Sequence, residues 1–341
     1  MKINLRATTI ASMLHFLRSL KSGQATKEQL VEIFNHPDYD FEFRRYFSMG
    51  QSATKEEITD YFFNLTTITP DKIPALRPSR PTELQDRHMY WLMAIENLDK
   101  LEGFHSRLNS LISPEMLAEA TELVKRGLPD DFQIGTIDII FTIGIGGSVG
   151  YVYDGAFHLD FLALTKMNIG ELVSILAHES HHVATMEYAD SYQKDFSPEE
   201  WFIHFFTGEG LAVKFCNNGS GIFTKPIYTN RPPNEGLDKF TMEYLNGKFD
   251  EALATFNATL TAIHNGEMTK DDVWKHLMEY WFNFHTTEQQ PDEPPKLQHS
   301  LAYSFGNDFY GIIYDTYGKE VLFDCVRHPL KAVEYFNKIG R

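Results

Sequence analysis

The segment NIGELVSILAHESHHVATMEY, residues 168–188, carries the pattern that decides the fold. Asn168 followed by Glu171 matches an N-cap with a capping box. After them, apolar residues recur at the three- and four-residue spacing of one helix face: Leu172, Ile175, Leu176, Val183 and Met186. The segment is therefore predicted to be one α-helix with the run His178–His182 in its middle.

Two histidines of this run lie one helical turn apart. At about 100° per residue, His178 and His182 are separated by about 40° around the helix axis, so their imidazoles share one face. Two imidazoles in this position can bind one Zn²⁺, and Glu179 beside them points to where metal-bound water lies. His181 points about 100° away from His182, which favours a supporting or surface position over that of a ligand.

The helical context makes this HExxH string more specific than the bare pattern. The chain has 14 histidines, so a chance match to the string alone is plausible. Burying two histidines and a glutamate on a face otherwise made of Leu, Ile and Val is costly unless they are paired or bind a metal. The segment therefore predicts a zinc site.

A third ligand is expected from the next helix, because Thr185 and Tyr188 occupy the positions where a metzincin has its glycine and third histidine. That helix starts at Ser197-Pro198-Glu199-Glu200, with serine as N-cap and proline in the first turn. Capping and the helix dipole account for Glu199 and Glu200 without a metal.

Glu209 has no such explanation. Its helical neighbours are all apolar: Trp201, Phe202, Phe205, Phe206, Ala212 and Val213. Gly208 and Gly210 flank it, which lowers helix propensity but allows the helix to approach a metal closely. Glu209 is the predicted third ligand, and Glu200 is the alternative.

These motifs together resemble a known class. The string at 178–182 followed by Glu209-Gly-Leu-Ala212 resembles the HExxH…EGLA arrangement of gluzincin metallopeptidases, in particular a bacterial family of zinc-dependent peptidases of unassigned function. The runs Tyr303–Gly306 and Tyr317–Pro329 are similar to that family's C-terminal part. The resemblance implies a zincin-like core, in which a small β-sheet packs on the HExxH helix, and a peptide or protein substrate.

The resemblance also implies roles for residues outside the two helices. The strand Gly155–Phe161 would be the sheet edge that pairs with an extended substrate backbone, and His158 on it is expected to be exposed rather than a ligand. A Tyr or His from the C-terminal region would stabilise the oxyanion. Tyr303 is the first candidate, Tyr310 the second and His299 the third.

The rest of the chain predicts an α+β fold that is mostly helical. Residues 1–130 form a helical N-terminal region, 131–215 the catalytic core and 216–341 a helical C-terminal lobe. Strands are predicted within 137–164, IDIIFTIGIGGSVGYVYDGAFHLDFLAL, which is rich in β-branched and aromatic residues. The glycine-rich run 143–147 matches no phosphate-loop motif and is predicted to be a turn between strands.

Composition limits the possible partners and location. The 341 residues carry a net charge of −16, which would repel a phosphate backbone, so no nucleic-acid partner is expected. No run of about 18 apolar residues predicts a membrane span, and no signal peptide is recognisable. The two cysteines, Cys216 and Cys325, are too few for a Cys-type zinc site or a disulfide framework. A soluble, cytoplasmic protein is expected.

The predicted activity is hydrolysis of a peptide bond, with Zn²⁺ on His178, His182 and Glu209 and water in the fourth position. Glu179 takes the proton from this water and returns it to the leaving amine. The main alternative is a non-catalytic metal-binding or scaffold protein with a vestigial zincin site. A carboxylate-bridged di-iron oxidase would need a second ExxH pair on another helix, and the sequence shows none.

Overall fold

The computed structural model describes residues 1–50, 52–78, 81–148, 150–167, 169–192, 195–218, 247–282 and 301–340. Their contacts divide the chain into two compact units: Met1–Leu117 with Gly135–Asn168, and Ala118–Ile134 with Ile169–Arg341. The described part of the chain is mostly helical and contains a four-stranded mixed sheet, which confirms the predicted α+β, mostly helical class. The zincin-like core, with a small sheet packed on the HExxH helix, stays a prediction. The three-part division at residues 130 and 215 stays a prediction.

The described helices are, in chain order, α1 Thr8–Lys21, α2 Lys27–Phe34, α3 Pro37–Ser48, α4 Lys55–Phe63, α5 Glu83–Glu96, α6 Leu98–His105, α7 Leu108–Leu111, α8 Pro114–Arg126, α9 Phe161–Leu164, α10 Ile169–Asp190, α11 Pro198–Ala212, α12 Phe249–His264, α13 Lys270–His276, α14 Leu301–Tyr317, α15 Lys319–Arg327 and α16 Pro329–Lys338. A short 3₁₀ helix covers Pro70–Lys72, and π-helical turns cover Val213–Asn218 and Leu277–Trp281. None of these helices is long and apolar enough to cross a membrane.

The sheet belongs to the first unit and has the order β1-β2-β4-β3. Its strands are β1 Lys2–Arg6, β2 Thr136–Thr142, β3 Gly150–Tyr153 and β4 Ala156–Asp160. β2 pairs in parallel with both β1 and β4, whereas β3 and β4 form an antiparallel hairpin. The hairpin turn has Asp154 at φ 47° and Gly155 at φ 72°, the positive values that a tight two-residue turn requires.

The predicted substrate-pairing edge at Gly155–Phe161 is wrong. β4 pairs with β2 on one side and with β3 on the other, so its backbone groups are already used within the sheet. The predicted exposure of His158 is also wrong, because this side chain is fully buried. Its Nε2 lies 2.7 Å from Thr142 Oγ1, and its ring stacks on Tyr151 at 4.7 Å. The polar residues of β4 find buried partners, which the alternation of the strand sequence does not reveal.

The glycine-rich run 143–147 joins β2 to β3, as expected of a turn between strands. Three carboxylates accept hydrogen bonds from its backbone amides: Asp160 from Gly144 (3.1 Å), Glu42 from Ile145 (3.1 Å) and Glu83 from Gly147 (2.9 Å). These amides are the donors that a phosphate-binding loop would offer to its ligand. Here they are occupied by the protein's own acids.

The second unit is built around the crossing of α11 and α14. Its core is a cluster of buried rings: Phe202, Phe206, Phe256, Trp281, Phe305 and Phe309. At the crossing Gly210 faces Gly306, and a Cβ on Gly210 would lie 2.4 Å from the carbonyl carbon of Gly306. The two backbones are therefore in direct contact, and neither position has room for a side chain.

Candidate metal centre

The HExxH helix forms as predicted, as α10. The predicted cap residue, Asn168, lies outside the described residues. One turn apart on α10, His178 and His182 approach each other to 3.0 Å between their Nε2 atoms. The side chain of His178 is 5% exposed and that of His182 is 17% exposed. The pair is therefore largely buried, and His182 is the more exposed of the two.

The following helix places Glu209 against this pair. α11 begins with the predicted capping box, in which Ser197 Oγ accepts from the Glu200 amide and Glu200 Oε2 accepts from the Ser197 amide, at 3.2 and 3.0 Å. Glu200 is thus engaged at the helix start. Two and a half turns later, Glu209 Oε2 lies 3.1 Å from the Nε2 atoms of both His178 and His182.

The three ligand atoms form a nearly equilateral triangle with sides of 3.0, 3.1 and 3.1 Å. Three donor atoms this close together could share one Zn²⁺, for which the usual Zn–N and Zn–O distances are about 2.0–2.1 Å. Among the described residues, this is the one cluster of three or more His, Cys, Asp or Glu side chains close enough to hold a metal.

Hydrogen bonding behind His178 shows which of its nitrogens carries the proton. Asn217 donates through its Nδ2 to Ser174 Oγ, so its Oδ1 faces His178 Nδ1, at 2.6 Å, and must accept from it. His178 Nε2 then presents a lone pair toward Glu209 and His182. Two imidazole nitrogens and a carboxylate oxygen that converge within 3.1 Å form a donor set that suits Zn²⁺, so the residues present fit this ion.

The electrostatics of the cluster also favour a positive charge at its centre. Burial lowers the pKa of His182, but the charge of Glu209 and its hydrogen bond outweigh burial and raise that pKa to about 9. Burial likewise opposes ionisation of Glu209, yet the charge of His182 and the close contact with both imidazoles hold the pKa of Glu209 well below its usual value. Without a metal, a proton on His182 supplies the charge that the site requires.

Glu179 and Tyr303 are the other predicted site residues. Glu179 is 8% exposed, directly follows His178 and contributes to the raised pKa of His182. Tyr303, near the start of α14, is half-buried, and its ring lies 6.3 Å from that of His178 at an angle of 15°. Both therefore belong to the surroundings of the histidine pair.

The alternatives to Tyr303 fare differently. Tyr310 is fully buried, and its hydroxyl donates to the Ile203 carbonyl at 3.0 Å, so it is a core residue turned away from any substrate. His299 lies outside the described residues.

His181 is fully buried rather than on the surface, and its Nε2 donates to the Gly127 carbonyl at 3.0 Å. Burial lowers the pKa of His181 to about 3, which keeps the ring neutral.

Sequence reasoning missed Asn217 and Ser174. In the sequence, Asn217 follows an apolar run, and Ser174 is a small polar residue one turn before His178. A regular α-helix would not turn residue 217 to the same face as Glu209. The irregular turn that does so, Val213–Asn218, has no local signature in the sequence.

Comparison with known proteins relates the chain to one protein family. A family model described as "Putative zinc dependent peptidase (DUF5700)" matches residues 71–341. The chain belongs to this family. The match confirms the resemblance seen in the motifs, and the family's description agrees with a His-His-Glu cluster that can bind zinc. No curated protein and no solved structure matches the chain.

Proposed function

We propose that the protein is a zinc-dependent peptidase of the gluzincin type, with His178, His182 and Glu209 as its metal ligands. The observation that carries the proposal is the triangle of three lone-pair donors at 3.0–3.1 Å. Family membership supports the reaction class. The proposed ligands lie on two consecutive helices, two on α10 and one on α11. This order supports a zincin-like core.

Zinc bound at this triangle would supply Lewis acidity, which polarises a carbonyl group and makes water more acidic. The chain's own residues perform the proton transfers. The Glu179 carboxylate accepts the proton of the attacking water and delivers it to the amine that leaves when the peptide bond breaks. The Tyr303 phenol donates a hydrogen bond to the carbonyl oxygen as negative charge develops on it. His178 and His182 stay neutral to act as ligands.

The test combines metal analysis with digestion of an unbiased peptide library by the purified full-length chain. The wild type is expected to hold about one zinc per chain and to cleave peptides. His178→Ala and His182→Ala should each lose the zinc, because two protein ligands hold it far less tightly than three. Full zinc occupancy in the double variant would refute the ligand assignment.

A second variant separates binding from catalysis. Glu179→Gln keeps the size of the side chain and removes the base, so zinc should remain while turnover falls by roughly 10²-fold or more. Wild-type turnover in this variant would show that Glu179 is not the base. Zinc in the wild type without cleavage of any library peptide would instead indicate a non-catalytic metal-binding protein.

A further inference from the structure

We propose that Asn217 is a positioning residue for the metal centre, and that the π-helical turn Val213–Asn218 serves to bring it there. The proposal rests on the metal site proposed above, although not on peptidase activity. Its basis is a buried chain of hydrogen bonds from Ser174 through Asn217 to His178. Asn217 is 4% exposed and Ser174 7% exposed, so water does not compete for these bonds.

Helix geometry shows what the π turn changes. In a regular α-helix residue 217 would be rotated about 80° from Glu209, eight residues earlier. The π turn Val213–Asn218 contains one more residue than an α turn. Asn217 therefore has the rotation about the helix axis that residue 216 would have in a regular α-helix. This is about 20° from Glu209. Glu209 and Asn217 end on the same face of the helix, two turns apart.

The two side chains hold opposite nitrogens of one ring. Glu209 Oε2 lies 3.1 Å from His178 Nε2, and Asn217 Oδ1 lies 2.6 Å from His178 Nδ1. A hydrogen bond accepted from His178 Nδ1–H fixes the tautomer in which Nε2 is free to bind a metal, and it also fixes the rotation of the ring. Ser174 fixes Asn217 in turn, because it accepts from Nδ2 and so directs Oδ1 toward the ring.

This role requires a hydrogen-bond acceptor at residue 217. A side chain of similar shape that cannot accept from His178 Nδ1–H would not perform it. Asn217→Leu keeps the branching at Cγ and removes the acceptor, whereas Asn217→Asp keeps an acceptor and loses only the donor to Ser174. The two variants are close in shape, but only the aspartate can accept a hydrogen bond from His178 Nδ1–H.

The experiment measures the zinc dissociation constant of the purified full-length protein by competition with a chromophoric chelator. Asn217→Leu is expected to weaken zinc binding roughly 10- to 100-fold, the usual effect of losing such a partner. Asn217→Asp should remain close to the wild type. Ser174→Ala should weaken binding less than Asn217→Leu, because it loosens the partner without removing it.

Thr207→Ala is the matched control for Ser174→Ala. Thr207 is also 7% exposed, but its hydroxyl donates to the His204 carbonyl within α11. Zinc affinity in this variant should not change. A loss equal to that of Asn217→Leu would mean that affinity only follows overall stability, and it would overturn the proposal.

A second readout does not depend on zinc. In protein labelled with ¹⁵N-histidine and free of metal, the Nδ1 proton of His178 should be protected from exchange in the wild type and in Asn217→Asp. It should be lost in Asn217→Leu, or in Asn217→Ala if the leucine variant fails to fold. Equal zinc affinity of wild type and both acceptor-free variants refutes the role of Asn217. Absence of zinc binding by the wild type refutes the metal site itself.

Discussion

The contact between Gly210 and Gly306 predicts a large difference between two alanine substitutions only two residues apart. In Gly210→Ala the new Cβ would lie 2.4 Å from the Gly306 carbonyl carbon, whereas a Cβ on Gly208 meets no atom within 4 Å. An ordinary contact begins near 3.4 Å, so α11 and α14 must separate by about 1 Å to accept the first substitution. The atom in the way belongs to the backbone, which cannot rotate aside.

The magnitudes follow from these distances. Overpacking costs about 3 kcal/mol when the neighbour is rigid, the upper end of the usual range. Alanine is favoured over glycine inside a helix by about 1 kcal/mol, and this gain applies to both variants. We therefore expect Gly210→Ala to lower the free energy of unfolding by about 2 kcal/mol. Gly208→Ala should raise it by about 1 kcal/mol.

The assay is urea unfolding of the metal-free protein, followed by tryptophan fluorescence, with a zinc titration of each folded variant. The shift of about 1 Å in Gly210→Ala also displaces Glu209, the adjacent residue, so zinc affinity should fall in this variant and not in Gly208→Ala. Equal stability of the two variants would refute the argument, because it would show that the helices do not meet at these glycines.

Three further predictions concern individual side chains and pH. Glu209→Gln should weaken zinc binding strongly, because a neutral amide is a poor ligand for a dication. Glu200→Gln should keep the metal and lower the free energy of unfolding by at most about 1 kcal/mol. A zinc titration of both variants tests this, and the reverse ranking would move the ligand to Glu200. Tyr303→Phe should lower kcat of peptide hydrolysis without loss of zinc. Tyr310→Phe should leave kcat unchanged and lower the free energy of unfolding by about 1 kcal/mol. Equal kcat in Tyr303→Phe and wild type would show that Tyr303 has no part in the mechanism. Zinc affinity should fall as pH decreases, because His178 and His182 must be neutral to bind it, and equal dissociation constants at pH 7.5 and 5.5 would contradict this set of ligands.

Local patterns in the sequence were enough to predict the two helices that carry the candidate metal centre. The apolar spacing around His178 and the box Ser197–Glu200 both report on residues within one or two turns, and both helices form where these signals lie. His178, His182 and Glu209 also lie close together, because a carboxylate surrounded by apolar neighbours needs a buried partner. Their role as zinc ligands stays a prediction.

The features that the sequence did not predict depend on distant or irregular contacts. β1 has charged residues at both ends and pairs with a strand more than 130 residues later, so nothing near it in sequence indicates a sheet. The interior position of β4 likewise depends on its neighbours in space, because alternation alone does not distinguish an edge from a central strand. Asn217 reaches His178 only through the π turn, where helical counting from Glu209 fails by one residue.

The parallel pairing of β1 with β2 has a consequence for synthesis of the chain. Ile3 lies opposite Ile137, so 134 residues separate partners that are adjacent in the sheet. At about 5–20 residues per second, roughly 7 to 27 seconds pass on the ribosome between the appearance of β1 and that of β2. Chains stalled at residue 130 should therefore leave β1 open to protease, and chains stalled well beyond residue 170 should protect it. Lys2 and Arg6 place a positive charge at each end of β1 while it is still unpaired. These charges disfavour its pairing with β1 of other nascent chains.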